Sequence, residues 1–185
     1  MKISLEGVYK KLISFLNKEK FGYLIIGGIA AGILGEPRLT GDIDVDIILD
    51  KKQLNEFLNK AKRTGFKIDV QKCVKRVKEA GVFQISHGDF HIDFIIASTD
   101  LEREAIKRKK IIKLYGLSAF FPTAEDFILL KIIPARPQDL MDAERVVTRH
   151  KGKLDLKYLK NWAEILSEEA QDMRIHNELQ KLLRK

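Results

Sequence analysis

The segment from Thr40 to Leu49 reads TGDIDVDIIL, so acidic residues alternate with β-branched ones. Val and Ile favour strands, and successive side chains of a strand point to opposite faces of a sheet, so Asp42, Asp44 and Asp46 would share one face. Carboxylates at i and i+2 stand roughly 6.5 Å apart, and like charges so close in a partly buried place repel unless a cation lies between them. The pattern predicts a cation site, and Mg²⁺ is favoured because it binds one or two carboxylates together with substrate phosphates.

A glycine pair lies upstream of the aspartates. The apolar run from Tyr23 to Ile26 ends in Gly27 and Gly28, and small residues follow as far as Gly35. This order is typical of a strand, a tight turn and a short helix. Glycines at such a junction let the backbone approach a ligand closely, and the free N–H groups of a helix start favour an anion. The segment therefore predicts a phosphate-binding turn.

Three common motifs fail at these positions. A dinucleotide fingerprint starting at Gly27 needs glycine where Ile29 stands, and a Walker loop needs lysine where Ile33 stands. An EF-hand loop starting at Asp42 needs glycine where Ile47 stands. The turn and the aspartates therefore belong to a different kind of phosphate and metal site.

The motif that does fit is the glycine pair, a short helix, and then Arg38-x-Thr40-x-Asp42-x-Asp44. It resembles the nucleotidyltransferase superfamily of the DNA polymerase beta type, and its form is most similar to the minimal and abortive-infection toxin-type members. The resemblance implies an α+β fold in which helices flank a mixed β-sheet and a C-terminal helical segment follows. It also implies metal-dependent transfer of a nucleoside monophosphate from an NTP to a hydroxyl, with release of pyrophosphate.

That family needs a third carboxylate on a neighbouring strand. The run from Phe90 to Ile96 is rich in strand-forming residues, and Asp93 is its only acid. Asp93 is therefore the candidate. Asp89 and His91 are four and two residues from Asp93, so their side chains would point to the same side of the strand. Either is a neighbour of the site or a polar group near the end of the strand.

The resemblance implies a role for each of these groups. Asp42, Asp44 and Asp93 would hold Mg²⁺ or Mn²⁺, with two ions expected, and Asp93 would also help to remove the proton of the attacking hydroxyl. The backbone of Gly27 and Gly28 would hold the triphosphate.

A second, less specific match follows in the C-terminal half. The stretch from Ala124 to Lys131, followed by Arg136, Asp139 and Asp142, resembles the part of the toxin-like branch in which a helix lysine and a downstream Arg/Asp group face the nucleotide. Asp139 and Asp142 would orient Lys131 or the base, or would simply cap the helix that starts near Pro137.

Four further residues have predicted roles or positions. Arg38 and Lys131 would offset charge on the departing pyrophosphate, and Thr40 would bond a phosphate oxygen or brace the turn. Asp46 is an extra acid relative to a minimal two-acid pattern. We expect it deeper in the sheet, accepting hydrogen bonds from backbone or arginine.

The coarse organisation predicts a nucleotidyltransferase-like α/β core over residues 1–121 and a C-terminal helical segment over 122–185 packed on it. Within the core, helices are expected at about 5–17, 51–63 and 70–80, with a short strand over 65–69. Two hairpins are expected, one joining 81–86 to the Asp93 strand and one joining 110–114 to 117–121.

Charge and composition bear on the partners. The net charge is +8 with a sequence pI near 9.5, which favours an anionic acceptor such as RNA or tRNA, although a solvated lysine-rich surface explains the same charge. The apolar runs are too short for a membrane helix and the N-terminus lacks a secretory pattern, so no membrane partner and a cytoplasmic location are expected. The lone Cys73 excludes an internal disulfide.

Other interpretations stay open at this stage. The chain could be a non-catalytic nucleotide- or RNA-binding module, or a toxin–antitoxin component with an antitoxin or other protein partner. Among enzymes, a tRNA end, a protein hydroxyl and a small-molecule hydroxyl need the same metal chemistry, so the acceptor and the preferred NTP are left undecided.

Overall fold

The computed structural model describes residues 3–184. Two compact units are present: the described residues to Ile29 with Leu39–Phe121, and Ala30–Arg38 with the described chain from Pro122 onwards. The sequence predicts a single boundary between residues 121 and 122. In the structure Ala30–Arg38 groups with the residues after that boundary. Of the helices in this part of the chain, none combines the length and apolar character that crossing a bilayer requires.

The first unit contains both helices and strands. In chain order its elements are α1 (Leu5–Lys18), β1 (Tyr23–Ile26), the start of α2 (Gly27–Leu34), β2 (Ile43–Ile47), α3 (Lys51–Arg63), α4 (Val70–Ala80), β3 (Val82–His87), β4 (Phe90–Ile96), α5 (Asp100–Lys107), β5 (Lys110–Leu114) and β6 (Leu117–Phe121). Several helices start at a side-chain cap, as at Asp50, whose carboxylate accepts from the Lys52 and Gln53 N–H groups. The helices predicted at 51–63 and 70–80 are confirmed.

Four strands of the described residues form one mixed sheet in the order β1-β2-β4-β3. Strand β2 runs antiparallel to β1 and parallel to β4, and β4 runs antiparallel to β3. The predicted α+β class with a mixed sheet is therefore confirmed. The pair β5 and β6 forms a separate antiparallel hairpin, as expected.

One face of the mixed sheet is covered by the apolar core. Ile43, Val45 and Phe94 are fully buried, and the ring of Phe57 on α3 packs edge-on against those of Phe83 and Phe94, with centroids 5.6 and 5.2 Å away. Aromatic pairs in this arrangement contribute about 0.5–1.5 kcal/mol beyond their area burial. Because side chains alternate along a strand, the neighbours of these residues point to the other face of the sheet.

The strand predicted over 65–69 is wrong except for one bridge, which pairs Lys67 with Ser86. Gly65 has a left-handed backbone with φ +88°, and Asp69 already serves as the N-cap of α4. Too few extended residues remain between these two for a strand to form.

The second unit is helical and contains α6 (Ala124–Ile132), α7 (Pro137–Arg149), α8 (Leu156–Ala170) and α9 (Arg174–Arg184). The carbonyls of Leu34, the last residue of α2, and of Gly35, which follows it, have no partner within that helix and accept hydrogen bonds in this unit. Arg149 Nη1 donates to Gly35 O at 2.6 Å, and His150 Nε2 lies 3.0 Å from Leu34 O. A Cβ at Gly35 would lie 3.2 Å from atoms of α7, so the backbone at Gly35 packs closely against that helix.

Candidate active site

Asp44 and Asp93 stand opposite each other on the sheet. They are register partners in the adjacent parallel strands β2 and β4, whose backbones lie about 4.8 Å apart in such a ladder. Directly paired residues point to the same face, so both side chains share the face opposite the apolar core. Both are partly exposed, whereas Ile43 and Val45 beside Asp44 are fully buried. The structure therefore brings the predicted second and third acids together.

The glycine turn lies against Asp44. Ile26, the last residue of β1, is the register partner of Asp44, so Gly27 follows directly at the start of α2. A Cβ at Gly27 would overlap the carboxylate and would lie only 2.5 Å from its Cγ. The backbone of Gly27 is also left-handed, with φ +61°. Position 27 therefore requires glycine for its conformation and for the space that the carboxylate occupies.

Asp42 is placed differently from Asp44. It lies one residue before β2 and is exposed, and its carbonyl accepts a hydrogen bond of 3.1 Å from Thr40 Oγ1. Within residues 3–184, no group of three or more His, Cys, Asp or Glu side chains is arranged to hold a metal ion. The three acids therefore do not form a ready-made triad, and Thr40 braces the turn, the second of its two expected roles.

Asp46 is almost completely buried, with 1% of its surface exposed. The expectation that it accepts backbone or arginine hydrogen bonds is wrong, because neither carboxyl oxygen has a partner among the described residues. Burial, with smaller contributions from Glu102 and Asp44, raises the pKa of Asp46 to about 8. A proton on this carboxyl removes the charge that burial disfavours.

Gln84 holds Asp93 in place, and sequence reasoning missed it. It is the register partner of Asp93 on β3, and its Nε2 donates a hydrogen bond of 2.9 Å to Asp93 Oδ1. A carboxylate can only accept, so the amide nitrogen must be the donor. One oxygen of Asp93 is thus held by the neighbouring strand.

The second unit carries a separate group of paired charges. Asp142 is 1% exposed and accepts from Arg38 through two hydrogen bonds of 3.0 Å, one to each oxygen. Asp139 is 3% exposed and accepts from Lys131 Nζ and Arg136 Nε, both at 2.6 Å. Lys131 Nζ also lies 3.7 Å from Asp142. The two buried acids therefore orient Arg38 and Lys131, and the alternative that they simply cap α7 is not needed.

The charge of Asp139 is maintained by these cations. Burial alone would raise the pKa of its carboxyl, but the hydrogen bonds and charges of Lys131 and Arg136 outweigh burial and hold the pKa below its ordinary value. Asp139 is therefore ionised at neutral pH and fixes the ammonium group of Lys131.

The residues on the sheet fit a divalent cation. Mg²⁺ takes oxygen ligands and commonly binds through one or two carboxylates, and Asp44 and Asp93 form such a pair in register. The space left by the absent side chain of Gly27 lets the Asp44 carboxylate lie against the backbone of a turn. The metal-binding role of Asp44 and Asp93 stays a prediction, and the registered carboxylate pair is its structural basis.

Comparison with known proteins agrees with this architecture. The chain matches, over residues 6–181, the family described as "Nucleotidyl transferase of unknown function (DUF2204)", and it belongs to that family. No curated protein sequence matches it.

Several solved structures share the fold at low sequence identity. ANT(2'')-Ia in complex with adenylyl-2''-tobramycin is 17% identical, with a TM-score of 0.55, and the match covers 78% of this chain and 88% of that one. The lincosamide antibiotic adenylyltransferase LnuA, lincomycin-bound, is 13% identical, with a TM-score of 0.54 and coverage of 79% and 98%. An antigenic nucleotidyltransferase-like protein from Paracoccidioides brasiliensis is 15% identical, with a TM-score of 0.51 and coverage of 93% and 92%. The likeness establishes a nucleotidyltransferase-like fold.

Proposed function

We propose that this protein transfers a nucleoside monophosphate from an NTP to a hydroxyl group and releases pyrophosphate. The observation that carries the proposal is the pairing of Asp44 and Asp93 across adjacent strands, with the Gly27 turn against the Asp44 carboxylate. Membership of a nucleotidyl transferase family supports the same reaction class.

The reaction is an in-line displacement at the α-phosphorus. The hydroxyl oxygen forms the new bond to phosphorus, the bond to the bridging oxygen of the leaving pyrophosphate breaks, and the hydroxyl proton passes to a base. Asp93 is the proposed base, and Gln84 orients it by holding Oδ1. Mg²⁺ or Mn²⁺ bound by Asp44 and Asp93, with Asp42 as a further predicted ligand, would supply electrostatic stabilisation of the phosphoryl oxygens.

The phosphate-binding roles are proposed on the strength of the motif. The backbone of Gly27 and Gly28 would contact the triphosphate, in keeping with their position at the start of α2. Arg38 and Lys131 would offset charge on the pyrophosphate, with Asp139 as the partner that holds Lys131. Buried carboxylates fix both cations, so little ordering would be needed when a phosphate binds.

Two classes of acceptor have support. The net charge of +8 favours RNA, including tRNA. The solved structures with this fold include proteins named in complex with an adenylylated tobramycin and with lincomycin, which favours a small-molecule hydroxyl. We favour the small molecule and keep RNA as the alternative.

A labelling experiment tests the reaction. The purified protein is incubated with each α-labelled NTP and Mg²⁺ or Mn²⁺, and separately with total tRNA, cell protein and a filtered small-molecule extract. We expect label on one acceptor class, and its loss in Asp44→Asn and Asp93→Asn. Asp100→Asn, an exposed acid at the start of α5, is the matched control and should retain transfer.

Two observations favour a second candidate, a nucleotide- or RNA-binding module without catalysis. Asp42 is exposed, and residues 3–184 contain no three-residue metal group. NTP or RNA binding without label on any acceptor would support this module, including its variant as a toxin–antitoxin component. It would overturn the transferase proposal.

A further inference from the structure

The first unit contains a cavity of about 330 Å³ beside α4 and the β3–β4 hairpin. Gln84 and His91 line it, and they lie on the two strands that carry the Gln84–Asp93 pair. His91 has the same parity on β4 as Asp93, so it shares the face of the proposed reaction. The cavity therefore adjoins the proposed base through Gln84, which contacts both.

The rim of this cavity is strongly cationic. Lys67, Lys72 and Arg76 line it, with Asp69 as the only acid among the lining residues. The Asp69 carboxylate is already engaged as the N-cap of α4, where it accepts from the Lys72 N–H at 3.0 Å. Within the described part of the chain, none of the three cationic side chains makes an ion pair. A wall of unpaired cations favours an anionic ligand.

Helical spacing explains why these groups face one cavity. Arg76 lies four residues after Lys72 and three after Cys73 along α4, so it shares a side of the helix with both. Cys73 is buried, and its thiol lies 3.4 Å from the Gln84 carbonyl that accepts its hydrogen bond. Burial raises the pKa of the thiol, so it stays neutral at the base of the cavity. The charge of the cavity wall is therefore that of its cations.

We infer that this cavity binds the acceptor, a small hydroxyl compound carrying a phosphate monoester, with its phosphate at Lys67, Lys72 and Arg76 and its hydroxyl toward Asp93. The inference rests on the proposed function and names the substrate class of that reaction. Ligand pockets for small molecules begin at about 300 Å³, so the volume suits a compound of modest size. A dianionic monoester also matches several cations better than a phosphodiester, which carries one charge.

A binding experiment tests the cavity without any turnover. Inorganic phosphate is titrated into the metal-free protein, with chloride at equal ionic strength as the reference, while amide resonances of α4 and the Gln84 side chain are followed by NMR. We expect saturable shifts there, and an apparent Kd raised on the order of tenfold in Lys72→Gln and in Arg76→Gln. Lys75→Gln removes the same charge from the same helix outside the cavity and is the matched control. Equal binding by all three variants would overturn the inference.

A transfer experiment separates this inference from the proposed function. A filtered small-molecule extract is divided, one half is treated with phosphatase and filtered again, and α-labelled NTP, metal and protein are then added to both. We expect labelled product only with untreated extract, and a raised acceptor KM with unchanged kcat in Arg76→Gln. Transfer that survives phosphatase treatment, or label found only on RNA, would overturn the phosphate-bearing acceptor while leaving nucleotidyl transfer standing. Absence of transfer to any acceptor would remove the proposed function and this inference together.

Discussion

The carboxylate of Asp44 occupies the space that a side chain at Gly27 would fill. The turn and the acid are therefore one structural unit, although sixteen residues of sequence separate them. Asp44 is also the register partner of Asp93. A side chain at position 27 would therefore displace one carboxylate of the proposed metal-binding pair.

Replacing Gly27 by alanine should abolish transfer. The new Cβ would overlap the Asp44 carboxylate, and the left-handed backbone would be strained, at a cost of about 1–2 kcal/mol. We expect the variant to remain folded at the assay temperature while its kcat for transfer is lost. Labelled transfer and thermal unfolding of the same preparations measure the two effects.

Gly116→Ala is the matched control for Gly27→Ala. Gly116 also has a left-handed backbone, with φ +84°, but nothing lies within 4 Å of the added Cβ. It should lose comparable stability and keep its activity. If both variants were equally active, the contact between Gly27 and Asp44 would have no role in the reaction.

Removal of Gln84 should impair catalysis through Asp93. Gln84→Ala deletes the hydrogen bond to Asp93 Oδ1, and loss of such an outer-shell partner typically lowers metal affinity or activity about 10- to 100-fold. We expect a lower kcat with little change in the KM for the NTP, measured by steady-state kinetics. Gln71→Ala, an exposed position on α4, should behave as wild type. A Gln84→Ala enzyme with an unchanged kcat would show that Asp93 needs no such support.

Asp46 should make stability depend on pH. Its pKa is about 8 in the folded chain and about 4 when unfolded, so between those pH values only the unfolded state releases the proton. The free energy of unfolding should therefore fall as pH rises across this interval, by about 1.4 kcal/mol per pH unit from this group. Below about pH 4 or above about pH 8, the Asp46 carboxyl adds no further pH dependence to the free energy of unfolding.

Urea unfolding in EDTA at several pH values, compared between wild type and Asp46→Asn, isolates this contribution. The asparagine cannot titrate, so its unfolding free energy should be flatter between pH 5 and 8 than that of wild type. Parallel curves for the two proteins would mean that Asp46 is not protonated in the folded state.

Loss of the Asp142 charge should destabilise the second unit. Asp142→Asn removes the buried charge to which Arg38 donates two hydrogen bonds, and we expect the free energy of unfolding to fall by about 1–3 kcal/mol. Asp172→Asn breaks an exposed pair with Arg174 and should change stability by less than about 0.5 kcal/mol. Equal denaturation midpoints for the two variants would argue against a structural role for the buried pair.

Much of the fold follows from local signals in the sequence. The turn at Gly88 and Asp89 joins β3 to β4, and caps such as Asp50, Asp69 and Thr123 set where their helices begin. These are short-range preferences, so they can be seen without knowledge of the rest of the chain. Ala30–Arg38 belongs to the second unit, where Arg149 and His150 contact the carbonyls of Gly35 and Leu34, and no local pattern indicates such long-range contacts.

The candidate site could be predicted only in part. Strand parity placed Asp44 and Asp46 on one face, and the buried position expected for Asp46 is found, but parity does not indicate hydrogen-bond partners, so their absence could not be predicted. It also does not indicate where β2 begins, and Asp42 falls outside the strand. Gln84 could have been found, because a two-residue turn at Gly88 and Asp89 pairs position 84 with position 93.

A double-mutant cycle on the transfer rate tests the central claim most directly. Asp44→Asn, Asp93→Asn and the double variant are compared with wild type under saturating NTP and metal. If the two carboxylates act as one unit, each single variant should lose nearly as much activity as the double variant. Full activity in either single variant, or losses that simply multiply in the double variant, would contradict the account.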